Sequence, residues 1–133
     1  MRDERGVSLS VWTAVAMPAF IVAVGLGVDF SGHAAAEQEA RAIAGQAARA
    51  ATHEVVLTEA GVSLDPAAAR RAGERFASDA GYAASVTVGA MRADVVIAGQ
   101  YRTIFLGVIG INEIGFKAEG SAVAISTLDG EEA

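Results

Sequence analysis

The chain has 133 residues, a formal net charge of −6 and no cysteine. That length holds one modest domain beside a membrane segment, and little more. The acidic balance argues against a nucleic-acid or anionic-lipid partner, and the absence of thiols excludes disulfides, a thiolate nucleophile and cysteine-held metal.

Residues 1–6, Met-Arg-Asp-Glu-Arg-Gly, form a short charged, leader-like segment. Residues 7–28 carry no charge and are mostly apolar. A helix of about 22 residues is roughly 33 Å long, close to the roughly 30 Å hydrocarbon core of a bilayer. A secretory signal has a shorter apolar core, and Asp29-Phe30-Ser31-Gly32-His33 beyond this run offers no obvious small-x-small cleavage site. A soluble core helix is rarely apolar on every face for so long. The run therefore predicts a single transmembrane helix in the cytoplasmic membrane. Arg2 and Arg5 lie close to it on one side, whereas the next basic residue on the other side is Arg41. The positive-inside rule then places the N-terminus in the cytoplasm and the remainder of the chain outside.

Several residues of this helix have both a functional and a plain reading. Ala19, Ala23, Gly27 and Ser31 recur at every fourth position, a spacing that lets another helix approach closely, although alanine and glycine are frequent here in any case. Pro18 removes the hydrogen bond to the Ala14 carbonyl and loosens the helix locally. Asp29 either marks the membrane boundary or makes a polar contact with a partner, since an unpaired carboxylate at the edge of lipid is costly. Trp12 suits an interfacial anchor or ordinary packing.

Residues 29–54 read as an exterior extension of the same helix, rich in Ala, Glu, Gln and Arg. Glu37 and Arg41 are spaced for an ion pair, and Ala36, Ala40, Ile43, Ala47 and Ala50 form an apolar stripe that must pack on something. Residues 55–128 are expected to form a small α+β exterior domain. Thr58 to Leu64 reads as a connection stopped by Gly61. Asp65-Pro66 opens a second helix as N-cap and first helical residue, and Gly81 closes it. Ser85 to Val88 and Ala93 to Ala98 predict a hairpin around Gly89-Ala90-Met91. Ile114 to Thr127 reads as a further strand whose apolar parity shifts near Gly120, implying a bulge. Thr103 to Ile111 reads as a short helix or loop packed over the sheet, and residues 129–133 as an acidic tail. The predicted fold class is thus α+β: a long N-terminal membrane-spanning helix continuing into a second helix and an antiparallel β-sheet.

No group of residues suggests catalysis. His33 and His53 lie about 30 Å apart on the predicted rod and cannot share a metal. No nucleophile-base grouping, Glu-x-x-His pair or phosphate loop is present in the sequence. The expectation is no enzyme, no cofactor, no metal and no small-molecule substrate.

Three stretches, in order, resemble the TadE/TadG-like pilus-assembly family of tight-adherence (Flp) systems, in its short actinobacterial form. They are Arg2-Asp3-Glu4-Arg5-Gly6 with Val7-Ser-Leu-Ser-Val-Trp12 and the apolar helix; Gly25-Leu-Gly-Val-Asp29-Phe-Ser-Gly32 leading to Gln46-Ala-Ala-Arg-Ala50; and Thr103-Ile-Phe-Leu-Gly107-Val-Ile-Gly110-Ile111. The resemblance implies a structural or assembly component of the pilus: a membrane-anchored, minor pilin-like subunit linked to cell adhesion and secretion. Its implied partners are the lipid bilayer and other pilus-assembly or pilin subunits. It also makes Gly6-Val7 a candidate processing site, although Val11 stands where prepilin-type members carry glutamate. The large additional exterior domain of TadG-type members is not expected in a chain of this length. The rival reading is a permanently anchored exterior binding module that never enters a fibre.

Overall fold

The computed structural model describes residues 4–125. The fold is α+β. Its first element, α1 (Glu4–Thr52), is one helix of 49 residues. Pro18 lies inside it, and the helix continues past it, as it does past Gly32 and Gly45. Glu37 and Arg41 form the expected ion pair at 2.6 Å.

After α1 the chain makes a two-stranded hairpin, β1 (Val55–Thr58) with β2 (Gly61–Leu64), in which Val55 faces Leu64 and Thr58 faces Gly61. The segment read as a bare connection is therefore a turn and a strand. The Thr58 hydroxyl donates to the Gly61 carbonyl across the turn at 2.8 Å, and Gly61 takes φ +116°, which only glycine adopts readily. Helix α2 (Pro66–Asp79) starts as its sequence predicts: the Asp65 carboxylate accepts from the Ala67 and Ala68 amides at 2.9 and 3.0 Å. The Ala68 and Ala67 bonds hold the Asp65 carboxyl below its ordinary value. The cap thus contributes fully above the ordinary carboxylate range and is lost as pH falls through the lowered pKa. At the other end the Gly81 amide donates to Ser78 and the Tyr82 amide to Ala77, the paired closure of a Schellman motif.

Strands β3 (Ala84–Val88), β4 (Arg92–Arg102) and β5 (Glu113–Val123) form a sheet with β4 in the middle. β3 and β4 are antiparallel, with Val86 opposite Val95, which is the predicted hairpin. In β5 the inward parity does not shift. Ile114, Phe116, Ala118, Gly120 and Ala122 all lie on the more buried side, so the parity shift that implied a bulge at Gly120 does not occur. Val123 and Ile125, which suggested the shift, are exposed. The predicted strand end at Thr127 and the acidic tail lie outside the described residues, as do Met1 to Asp3 of the leader.

The chain divides into two compact units. One comprises the residues up to 34 with 101–114; the other comprises 35–100 with the residues from 115 onward. In the second unit the buried face of α1 coincides with the predicted stripe only at Ala40 and Ala47; it is an alanine ridge, with Ala40, Ala44, Ala47, Ala48 and Ala51 fully covered, whereas Ala36, Ile43 and Ala50 are half-buried. Small side chains let other backbones come close. A methyl on Gly73 of α2 would lie 3.3 Å from the Ala47 carbonyl oxygen, and one on Gly120 of β5 would collide with the α1 backbone at Ala44 and Gly45. Val95 and Ile97 of β4 are fully buried, and Phe116 lies over Gly99.

Candidate anchoring and assembly site

The first unit joins the apolar part of α1 to the segment 103–111. That segment was expected over the sheet. It is instead fastened to the helix, for a reason that lies in Asp29. The Asp29 side chain is fully buried. One carboxylate oxygen accepts from the Ile104 amide at 2.7 Å; the other accepts from Phe105 at 2.9 Å and Leu106 at 2.7 Å. These amides open a short 3-10 helix, Leu106–Ile109, whose first N–H groups have no partner within the turn. An ionised carboxylate is acceptor-only and matches three donors without leaving a polar hydrogen over. Asp29 thus caps a helix about 75 residues further along the chain.

The helix provides room for this cap four residues earlier. A Cβ at Gly25 would lie 2.7 Å from the Phe105 ring, so only glycine lets the loop approach. One turn beyond Asp29, Gly32 lies against the Tyr101 hydroxyl, and the His33 ring meets Tyr101 edge-on at 6.3 Å. Within the loop, the Thr103 hydroxyl and amide donate to the carbonyls of Ile111 and Asn112, and the Ile111 amide donates to Leu106. Gly110 ends the 3-10 helix in the left-handed region, at φ +93°.

Gly25, Asp29 and Gly32, which fall within one of the stretches that carry the family resemblance, make this contact, whereas the small-residue spacing points to Ala19, Ala23, Gly27 and Ser31. The signal was available: Gly25, Asp29 and Gly32 are spaced four and three apart, on one helix face. The Ala19, Ala23, Gly27, Ser31 stripe lies elsewhere. Gly27 lies two positions after Gly25, a rotation of roughly 200°. All four stripe residues are exposed, and nothing lies within 4 Å of a Cβ placed on Gly27. Asp29, read as a boundary or a partner contact, has both oxygens engaged within its own chain. Gly6 and Val7 lie within α1.

Chemically the arrangement holds rather than reacts. The buried carboxylate is committed to backbone donors, and among the described residues no three His, Cys, Asp or Glu side chains gather in a way that could hold a metal ion. The apolar part of α1 is uncovered: its most apolar 18-residue window has a mean hydropathy of 2.1 and is 6 % buried.

Over residues 6–72, half of its length, the chain matches the Flp pilus-assembly TadE/G-like family. The chain belongs to that family. No curated protein and no solved structure matches it. The matched segment of this TadE/G-like protein covers most of α1 and the start of α2, including Gly25 and Asp29. The loop that Asp29 caps lies beyond the match, so its attachment to the helix is a finding of the structure.

Proposed function

We propose that this TadE/G-like protein is a bitopic, minor pilin-like structural subunit of a tight-adherence pilus, with its N-terminus in the cytoplasm and its α+β domain outside. The observation that carries the reading is an apolar helix with almost no cover from its own chain, running without a break into a helix whose alanine ridge is packed in a folded domain. A soluble core helix would be covered, so lipid is the natural surrounding for the uncovered part. Membership of a pilus-assembly family supports a structural rather than a catalytic role. The work is helix packing in the membrane and subunit docking outside.

The deciding measurement is made on the native protein. It is expected to stay in the membrane fraction through alkaline carbonate extraction, and the mature form recovered with sheared pili is expected to begin at Val7. Release by carbonate alone would remove the membrane reading. Val11, in place of the glutamate of prepilin-type members, favours the rival anchored module. A mature protein that begins at Met1 and never enters the sheared fraction would establish that rival.

The stripe of Ala19, Ala23, Gly27 and Ser31 is the proposed face for a neighbouring membrane helix, since it is open and turned away from the loop. Gly27→Ile should weaken helix association in membranes about ten-fold, on the order of 1 to 2 kcal/mol. Ala14→Ile, which adds bulk on the other side of the helix, should leave it unchanged. A genetic reporter of helix association or in-membrane cross-linking reads the difference. Equal tolerance at both positions would reduce the stripe to composition.

A further inference from the structure

We infer that the loop Thr103–Ile111 is a second membrane-contacting element, immersed beside α1 in the leaflet on the side of the α+β domain. The inference rests on residues 7–28 spanning the bilayer, as proposed above. Its first support is position. The loop is fixed to α1 at Gly25 and Asp29, and an apolar cavity of about 250 Å³ between loop and helix is bounded by Ile21, Val22 and Leu26 on one side and by Phe105, Val108 and Ile109 on the other. Ile21 lies seven residues before Val28, the end of the uncharged run, which at 1.5 Å per residue is about 10 Å inside it. That depth agrees with the roughly 5–10 Å reached by interfacial elements.

The second support is surface chemistry. Residues 103–111 contain no ionisable side chain. Three of their large apolar side chains are mostly exposed: Val108 86 %, Ile109 72 % and Ile104 65 %. Exposed aliphatic residues clustered on one short loop are not what a water-facing turn presents. Arg102, at the edge of the loop, is exposed and long enough to reach the headgroup level.

The third support is the backbone. Non-helical backbone survives at membrane depth only where its polar groups are satisfied by protein. The amides of Ile104, Phe105 and Leu106 are taken by Asp29, Thr103 bonds Asn112, and Val108, Gly110 and Ile111 bond carbonyls inside the loop. This also accounts for a carboxylate at the end of an apolar run. Its charge meets three aligned donors, so no water is needed to solvate it. Acyl chains are the favoured occupant because the exposed loop residues are continuous with Ile21, Val22 and Leu26 of the helix. One apolar medium covers both, whereas a protein partner seated on the loop alone would leave the helix flank bare.

The test uses the full chain, which has no cysteine of its own. Val108→Cys and Ile109→Cys variants carry an environment-sensitive fluorophore in phosphatidylcholine vesicles whose lipids bear a quencher at a shallow or a deep acyl carbon. Val15→Cys reports on the helix, and Glu59→Cys, in the exposed β1–β2 turn, reports on water. The expected result is blue-shifted emission at 108 and 109 that is mostly lost to the shallow quencher. Val15 should lose emission to the deep quencher and Glu59 to neither. If Val15 is quenched while 108 and 109 behave like Glu59, the loop is in water and the inference is overturned. Blue-shifted emission at 108 and 109 without lipid quenching means that a second copy or another protein covers the loop, which overturns it equally. An unquenched Val15 would remove the membrane-spanning reading itself, and the inference with it.

Discussion

Gly120→Val is expected to destabilise the protein by about 3 kcal/mol or more, at the upper end of the cost of overpacking a close-packed site. A side chain here has nowhere to go. Its Cβ would lie 2.7 Å from the Ala44 carbonyl oxygen and closer still to the Ala44 carbonyl carbon and the Gly45 nitrogen. These are backbone atoms in the middle of a helix, and no rotamer change can move them. Strand or helix must shift, and either shift disturbs the contact with the alanine ridge. The companion change has the opposite sign. A Cβ on Gly45 meets nothing within 4 Å, so Gly45→Ala fills open space and recovers about 1 kcal/mol of helix propensity. For a domain of roughly 100 residues these differences correspond to a melting point lower by more than about 10 °C for Gly120→Val and higher by a few degrees for Gly45→Ala. Thermal unfolding of the full chain in detergent micelles, followed by circular dichroism, measures both. A neutral Gly120→Val would mean that β5 does not approach α1 as closely as described.

The two glycines also mark how far the sequence can be read. Both stand near alanine, and the chain contains 15 glycines, so composition does not say which of them face another backbone. The legible elements were those with local chemistry. Asp65-Pro66 announces the start of α2, Gly81 its end, and the alternation of Ser85 to Val88 gives β3. Hairpin β1–β2 was not legible because all four residues of β1 are exposed, leaving no alternation of burial to imprint a period of two. The parity argument at Gly120 failed for a related reason. Val123 and Ile125 are apolar, which suggests an inward face, but near the end of β5 these side chains remain exposed.

The site was half legible. A lone carboxylate at the end of an uncharged run attracts notice, and its position alone suits a membrane boundary or a partner contact. Its actual acceptors' use depends on Ile104 to Leu106, which no periodicity links to residue 29. Such a pairing appears only once the chain has folded back. Gly25 has the same origin: its lack of a side chain matters because Phe105 arrives there, not because of any local turn.

Asp29→Ala is expected to free the loop while leaving the helix formed. The substitution removes the acceptor of three amides at once, and no other carboxylate is bonded to them. Each N–H would then have to find water, which requires the loop to lift from α1. The opening is local, because the remaining bonds of the second unit do not involve Asp29. Amide hydrogen exchange at Ile104, Phe105 and Leu106 should accelerate about a hundred-fold or more, while exchange along α1 between Ala40 and Ala51 stays as slow as in the wild type. Asp29→Asn should fall between the two, since its amide keeps one oxygen acceptor and replaces the other with a donor facing a donor. Gly25→Leu should reproduce the loop opening by a different route, driving the Phe105 ring off the helix while the carboxylate is intact. Agreement between a charge-removing and a space-filling change would trace the effect to one contact. Unchanged protection of the three amides in Asp29→Ala would show that the loop is held to the helix by its apolar side chains alone, and that the carboxylate is not what fixes it there.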